Sequence, residues 1–450
     1  MPPRLPLSQI IIYALGQLGW SLAAFGAANL LVYFYLPPGE GKEAIFPAFI
    51  FQGAVWGVAT LVGLINFGGR FFDAITDPLV ALWSDRRPAG KLGKRKTIMA
   101  IAALPCALFS FLMFFPPAAE PGWLNAVWLT GAVLLFYFFL TLYLIPYNAL
   151  ISELGHHPPD RMTISTAISV TFALGFLIGG SVFAFQDMLS DGRTPVRAFQ
   201  LAMGVYACLA LLLMLMPVFL LQENRYAHQP ATAAPSRAED RRLLRRVLAD
   251  ANFRIFLWSD LMYWLALTFI QLGVSYFLTV LMGFEAARTS LFLAVSFIGS
   301  FALYWPVNVA VSRWGKRRMV MAAFGVFGAV FGLTALQGLV HLPAEPLFWL
   351  LAVGAAFPLA VFGIVPNALI ADLVYAYSEQ SGEQPSGMFY AIRSFMMKVG
   401  ISLANLIFPS LLLLGKSAAS SLGVQLAAWA ALLACIAGAV LFSRMHIAQK

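Results

Sequence analysis

Twelve apolar runs, each long enough to cross a bilayer as a helix, divide this chain and leave it essentially one class of fold. They fall near residues 9–36, 48–83, 97–116, 123–150, 163–186, 198–221, 254–282, 287–311, 318–340, 346–374, 387–413 and 419–443. Crossing about 30 Å of hydrocarbon takes about 20 residues at roughly 1.5 Å each. No water reaches that depth, so each segment must satisfy its own backbone, and helices do this. The expected fold is therefore an all-α membrane protein with twelve transmembrane helices. The run at 48–83 is longer than a bilayer needs, so part of it should project beyond the membrane or begin as a separate turn near Pro47. A chain that is 60% hydrophobic and 11% charged excludes an ordinary soluble domain. The formal net charge of +9 does not imply a nucleic-acid partner, because the basic residues cluster in short loops between the runs. Membrane lipids are the expected neighbours of these loops. Cys106, Cys208 and Cys435 sit in separate apolar runs without metal-ligand spacing and read as small buried residues.

Two echoes in the sequence divide the helices six and six. Leu92-Gly-Lys-Arg-Lys96 is echoed by Trp314-Gly-Lys-Arg-Arg318, with the glycines 222 residues apart. Pro146-Tyr-Asn-Ala-Leu-Ile-Ser-Glu-Leu154 is echoed by Val365-Pro-Asn-Ala-Leu-Ile-Ala-Asp-Leu373, with the asparagines 219 apart. The organisation read from this is a six-helix half over 1–221, a linker over 222–253 and a second six-helix half over 254–450. Duplicated halves of parallel topology are a transporter arrangement in which a small-molecule substrate binds near the midplane. In the linker, Ser236 and Glu239 have capping-box spacing, and Leu243, Leu244, Val247 and Leu248 line up beside Arg241, Arg242, Arg245 and Arg246. A helix of this kind is expected to lie on the membrane surface. Twenty-one Lys and Arg fall in loops on one side and five on the other, which places both termini and the linker in the cytoplasm. The plasma membrane, the inner membrane of a bacterium, is the expected location, and the chain is expected to act as a monomer.

Charge appears where such a chain should least tolerate it. Within Gly69-Arg-Phe-Phe-Asp-Ala-Ile-Thr-Asp-Pro78, residues Arg70, Asp73 and Asp77 share one helix face at 100° per residue. An ionised side chain at bilayer depth costs at least about 2.5–3.5 kcal/mol, so this face must look into a bundle interior or a watery cavity. Pro78 lacks the N–H that would bond the Ala74 carbonyl, leaving an oxygen free beside both carboxylates. Two carboxylates, hydroxyls and a free carbonyl make an all-oxygen set suited to a hard monovalent cation or a proton. No nucleotide-binding loop, nucleophile elbow or zinc motif occurs, and no enzyme activity is expected. His156 and His157 have no ligand-spaced partner, so no metal site beyond the coupling cation is expected, and no cofactor.

The same segment, with Asp85-Arg86 and the Gly93-Lys-Arg95 loop after it, resembles the glycoside–pentoside–hexuronide:cation symporters of the major facilitator superfamily, the melibiose permease family, and its animal lysolipid-transporter branch. The resemblance runs on through Pro146-Tyr-Asn148 and Ser394–Gly400. It implies a cation-coupled (Na+ or H+) symporter of a carbohydrate- or glycoside-type solute working by alternating access; the alternative is a lysolipid or amphiphile transporter or flippase of the same fold. It implies that Asp73 and Asp77 hold the coupling cation with help from Thr76 and Thr141, and that Arg70 and Lys398 compensate their charge. Trp20, Ser21, Leu144, Asn148 and Ser169 stand where the family's galactoside transporters carry charged or aromatic sugar ligands, and with Ser394 they are the substrate-cavity candidates. Asp260 and Arg393 are expected either to line the cavity or to sit at its cytoplasmic mouth. Glu153 and Asp372, at equivalent repeat positions, are expected to be gate or loop-anchoring residues that pair with the basic loops rather than substrate ligands.

One outcome is expected from the loop asymmetry and one from the family resemblance. In a variant lacking Cys106, Cys208 and Cys435, a cysteine introduced at Ala233 should react with an impermeant thiol reagent only after the cells are opened. Labelling from outside intact cells would overturn the orientation. With Ser21, Leu144 and Ser169 in place of charged sugar ligands, radiolabelled melibiose should show no saturable uptake at micromolar concentration.

Overall fold

The computed structural model describes residues 5–39, 44–86, 92–154, 158–226, 244–340, 342–381 and 386–445. The chain divides into two compact units, Met1–Ala231 and Thr232–Lys450. In the first unit, α1 runs over Leu7–Tyr35. It is followed by α2 (Leu61–Arg86), α3 (Lys94–Leu112), α4 (Trp123–Leu154), α5 (Pro158–Gly180) and α6 (Pro195–Leu220). The second unit holds α7 (Ala251–Leu281) and then α8, formed by Arg288–Ala302 and Tyr304–Trp314 with a 50° bend between them. It continues with α9 (Lys316–Val340), α10 (Ala344–Ser381), α11 (Ser386–Leu411) and α12 (Leu422–Ser443).

Ten of these helices are long and apolar enough to span, and the bent α8 makes eleven. Only α2 falls short, because it carries the charged face; its 26 residues extend about 39 Å and still suffice to cross. The fold is thus the all-α, twelve-helix arrangement expected. As the length of the run at 48–83 led us to expect, its start lies outside the helix: residues 48–60 are non-helical, and 54–60 form a short antiparallel hairpin, Ala54–Val55 against Ala59–Thr60. Trp56 and Gly57 at its tip take positive φ values of 51° and 76°. Such a turn ends the apolar run before α2 begins, and Trp56 is 85% exposed.

Packing within the units repeats. In the first, α1 packs on α5 and α6, α3 on α4 and α6, and α2 on α4. In the second, α7 packs on α11 and α12, α9 on α10 and α12, and α8 on α10. Each pair in the first unit has its counterpart six helices later, as an internal duplication requires. Of the expected linker helix, residues 227–243 lie outside the described residues, as do the basic-loop residues Arg87 and Lys91, and His156 and His157. Residues 244–249 are helical, with Val247 buried and Leu244 and Leu248 exposed.

The two echoed Gly-Lys-Arg motifs are helix starts with the same device. Gly93 (φ 112°) and Gly315 (φ 84°) precede α3 and α9 in a backbone region that is essentially reserved for glycine. Beyond Gly93, the backbone N–H groups of Arg95 and Lys96 both donate to the Glu223 carboxylate at 2.9 Å, capping the positive end of α3. Arg95 also donates to Glu153 at 2.7 and 2.9 Å and to Ser84 at 2.7 Å, which ties together α3, the C-terminal ends of α4 and α2, and the Glu223–Tyr226 turn. In the second unit Lys316 pairs with Asp372 at 2.5 Å. Glu153 and Asp372 therefore anchor the basic loops, as expected.

The two glycines differ in what surrounds them. A Cβ at Gly93 would lie 2.2 Å from Glu223 Oε2, whereas one at Gly315 would meet nothing within 4 Å among the described residues. Gly315→Ala should cost only the backbone term, about 1–3 kcal/mol. Gly93→Ala should cost more, because it also displaces the carboxylate that caps α3. Thermal unfolding of the two variants in the same detergent measures the difference, and equal losses would contradict it.

Candidate functional site

Close approach of α2 and α4 builds the site. A Cβ on Gly69 would fall 2.5 Å from Val133 Cγ1 and 2.9 Å from Tyr137 Cδ2, so only glycine lets the two helices meet there. One turn farther along each helix, the same approach brings Asp73 and Thr141 together. The Thr141 hydroxyl donates to Asp73 Oδ1 and lies 3.4 Å from Asp77 Oδ1. Asp73 is 3% exposed, Thr141 1%, and Asp77 is half-buried. The two carboxylates and the threonine expected to act together thus form a single cluster.

Around them, Thr76 is buried and donates to the Asp73 backbone carbonyl at 3.1 Å, which leaves its oxygen lone pairs available to a ligand. Arg70 Nη1 lies 3.8 Å from Asp73 Oδ2, beyond hydrogen-bond reach. Its guanidinium stands over the Tyr137 ring, 4.7 Å from the centroid. Sequence reading passed over Tyr137. The signal was present, since Tyr137 precedes Thr141 by four residues and so shares its face of α4.

The substrate candidates divide by environment. Ser21 is fully buried, donates to the Gln17 carbonyl at 2.6 Å, and packs where a Cβ on Gly175 of α5 would lie 2.6 Å from its own Cβ. It belongs to the α1–α5 contact. Trp20 is half-buried, with its indole N–H buried and unpartnered among the described residues. Its ring lies 6.0 Å from that of Phe172, which in turn lies 4.7 Å from Phe176. Ser169, on the exposed side of α5, donates to the Ser165 carbonyl at 2.9 Å. Leu144 is half-buried and Asn148 exposed, on successive turns of α4.

In the second unit, Lys398 and Ser394 are half-buried on α11, where Ser402 donates to the Lys398 carbonyl at 2.7 Å. Arg393 pairs with Asp260 at 3.0 and 3.3 Å and donates to Asn367 at 2.6 Å. Asn367 is the echo of Asn148. Asp260 also borders a small cavity with Phe256, Tyr263, Phe362 and Pro366.

Comparison with known proteins is consistent with this geometry. The human sodium-dependent lysophosphatidylcholine symporter 1 is 23% identical over 82% of this chain and 71% of its own length. The putative glycoside/cation symporter YagG of Escherichia coli K12 is 24% identical over 99% of this chain and 91% of its own. Among solved structures, a mutant of the nucleoside transporter NupG superposes with a TM-score of 0.70 at 14% identity, over 98% of this chain and all of that one, a likeness of fold alone. The profile of the MFS/sugar transport protein family matches residues 12–447, nearly the whole chain, and the protein is a member of that family of integral membrane transporters.

Proposed function

We propose that this protein is a cation-coupled secondary symporter of a small solute, loading Na+ or H+ at Asp73 and Asp77 and working by alternating access. The observation that carries this reading is the Thr141 hydroxyl set between two carboxylates on a buried face of α2. A structural ion pair needs one carboxylate per guanidinium. Arg70 alone cannot neutralise both Asp73 and Asp77; with Lys398 also counted, the ionised empty cluster sums to zero, and one monovalent cation brings it to +1. Thr76 and Thr141 supply neutral oxygens for a hard ion. Lys398, by the family resemblance, supplies a second positive charge while the site is empty. The symporter names of two relatives support the same reading.

A carbohydrate- or glycoside-type solute is the first reading of the substrate. The unpartnered Trp20 N–H and the exposed Ser165 and Ser169 of α5 offer neutral polar contacts without fixed charge. A second reading, a lysolipid or another amphiphile, is favoured by exposed Val170, Phe172 and Leu174 on the same helix and by the aromatic row from Trp20 through Phe172 to Phe176. The protein is read as lying in the plasma membrane with both termini cytoplasmic, on the basic-residue asymmetry of its loops.

Transport of a neutral solute with one cation moves one positive charge. Uptake into proteoliposomes should therefore rise with a negative-inside potential, which supplies about 2.3 kcal/mol per charge per 100 mV. Asp77→Cys should abolish cation-stimulated uptake while solute binding remains measurable, and Asp73→Cys should do the same. Should both variants accumulate solute under an ion gradient as the native protein does, the carboxylates are structural and the symport reading fails. If a proton is the coupling ion or competes for the pair, the apparent Na+ affinity should fall as pH is lowered.

A further inference from the structure

One polar side chain on the charged face of α2 has no role in the scheme above. Asn66 is 0% exposed, and neither its carboxamide oxygen nor its nitrogen has a hydrogen-bond partner among the described residues. An amide buried in this way is costly, and an apolar residue of similar shape would avoid the cost. Asn66 precedes Arg70 by four residues, Asp73 by seven and Asp77 by eleven. At 100° per residue it lies within about 20° of both aspartates around the helix, and one turn from Arg70. Arg70 Nε is itself buried without a hydrogen bond among the described residues, and its Nη1 lies 3.8 Å from Asp73 Oδ2. Two neighbouring groups, an acceptor and a donor, are thus each left unsatisfied one turn apart.

We propose that Asn66 is a positioning residue for Arg70: its carboxamide oxygen receives the guanidinium when a cation occupies Asp73 and Asp77. This rests on the coupling reading above and specifies how the site switches. A cation and the Arg70 guanidinium are like charges competing for the same carboxylate, so loading must drive Arg70 off Asp73. Helix side chains lean toward the N-terminus, so a long arginine naturally extends back over the preceding turn, where Asn66 stands. Reaching forward to Asp73 works against that lean, in keeping with the long 3.8 Å separation. Tyr137, under the guanidinium in the arrangement seen, provides an apolar face along which it can slide. The amide, unsatisfied in the arrangement seen, is satisfied once the guanidinium lies over it, and this difference favours loading.

The test uses the full-length protein in detergent and in proteoliposomes, with Na+ and H+ titrated separately against thermal unfolding and against solute uptake. Asn66→Leu should raise the unfolding temperature without cation, because the orphaned amide is gone. It should also raise the cation concentration for half-saturation by roughly tenfold, a loss that a purely structural residue would not produce alongside a stability gain. Asn66→Ala gives the same readout should leucine not fit. Asn66→Asp keeps the acceptor and should hold cation affinity at or above the native value. In an Arg70→Gln background, Asn66→Leu should produce no further weakening, since its partner is gone. Half-saturation within twofold of native in both Asn66→Leu and Asn66→Ala, or an undiminished effect without Arg70, overturns the proposal while leaving cation coupling intact. A native protein that responds to neither Na+ nor H+ overturns the coupling reading and this inference with it.

Discussion

The absence of a side chain at Gly69 sets the depth at which α2 and α4 meet, and much of the first unit's chemistry follows from that depth. With Val133 and Tyr137 resting against the Gly69 backbone, the next turn of each helix brings a carboxylate and a hydroxyl into hydrogen-bond contact. The two helices run in parallel here, so the register persists. Farther along, Ser84 of α2 and Glu153 of α4 again lie close enough to be held by one arginine, Arg95. A methyl group at position 69 would separate the helices at the point where the buried acids need their partner. Close packing through small residues is the usual way membrane helices associate, since lipid offers no hydrophobic drive for it. Here the same device also places polar atoms.

The duplicated scaffold carries unduplicated chemistry. Helix pairs correspond one for one between the units, and the glycine-initiated starts of α3 and α9 use the same backbone conformation. At the 222-residue spacing that relates those glycines, the counterparts of Arg70, Asp73 and Asp77 on α8 are Phe292, Val295 and Gly299. The second unit has its own buried ion pair on different helices, between Asp260 of α7 and Arg393 of α11, with Asn367 as a third member. A fold that tolerates duplication of its packing has thus kept the costly carboxylate pair on one side only. Charge inside a bilayer is expensive enough that a second copy without a use should be lost.

Much of the fold was legible because bilayer thickness and backbone satisfaction leave few choices. The twelve spans, the parallel repeat and the loop-anchoring roles of Glu153 and Asp372 could be read from run length, spacing and charge. That the run at 48–83 starts outside the helix could be read from its length, but the hairpin at residues 54–60 could not, since Ala-Val-Trp-Gly-Val-Ala-Thr has no charge to interrupt the hydropathy. Of the site, the shared face of Arg70, Asp73 and Asp77 follows from helical periodicity alone. The place of Thr141 rested on family resemblance, because which face of α4 meets α2 depends on packing at Gly69, a contact between residues far apart in the chain. Ser21 shows the same limit from the other side. Its alignment with a sugar ligand pointed to a cavity, yet the glycine at 175 draws α5 against it and turns the hydroxyl back to the Gln17 carbonyl. Interhelical contact decides whether a polar residue meets solute or backbone, and hydropathy does not report it.

The lengths of the arginine–carboxylate contacts set Arg70 and Asp73 apart from the other buried pairs. Arg95 holds Glu153 at 2.7 Å and Arg393 holds Asp260 at 3.0 Å, each with further hydrogen bonds to neighbouring helices. Breaking either would strand a buried charge, typically at a cost of about 3–5 kcal/mol, so these pairs resist rearrangement. Arg70 and Asp73, with side chains 16% and 5% exposed, stand 3.8 Å apart and forgo the charge-assisted hydrogen bond that their proximity allows. Asp73 also accepts a hydrogen bond from the neutral Thr141 hydroxyl. On the coupling reading proposed above, a site that loads and unloads on every cycle needs an arginine near enough to offset the carboxylates but not locked to them, and the 3.8 Å separation of Arg70 from Asp73 meets that need.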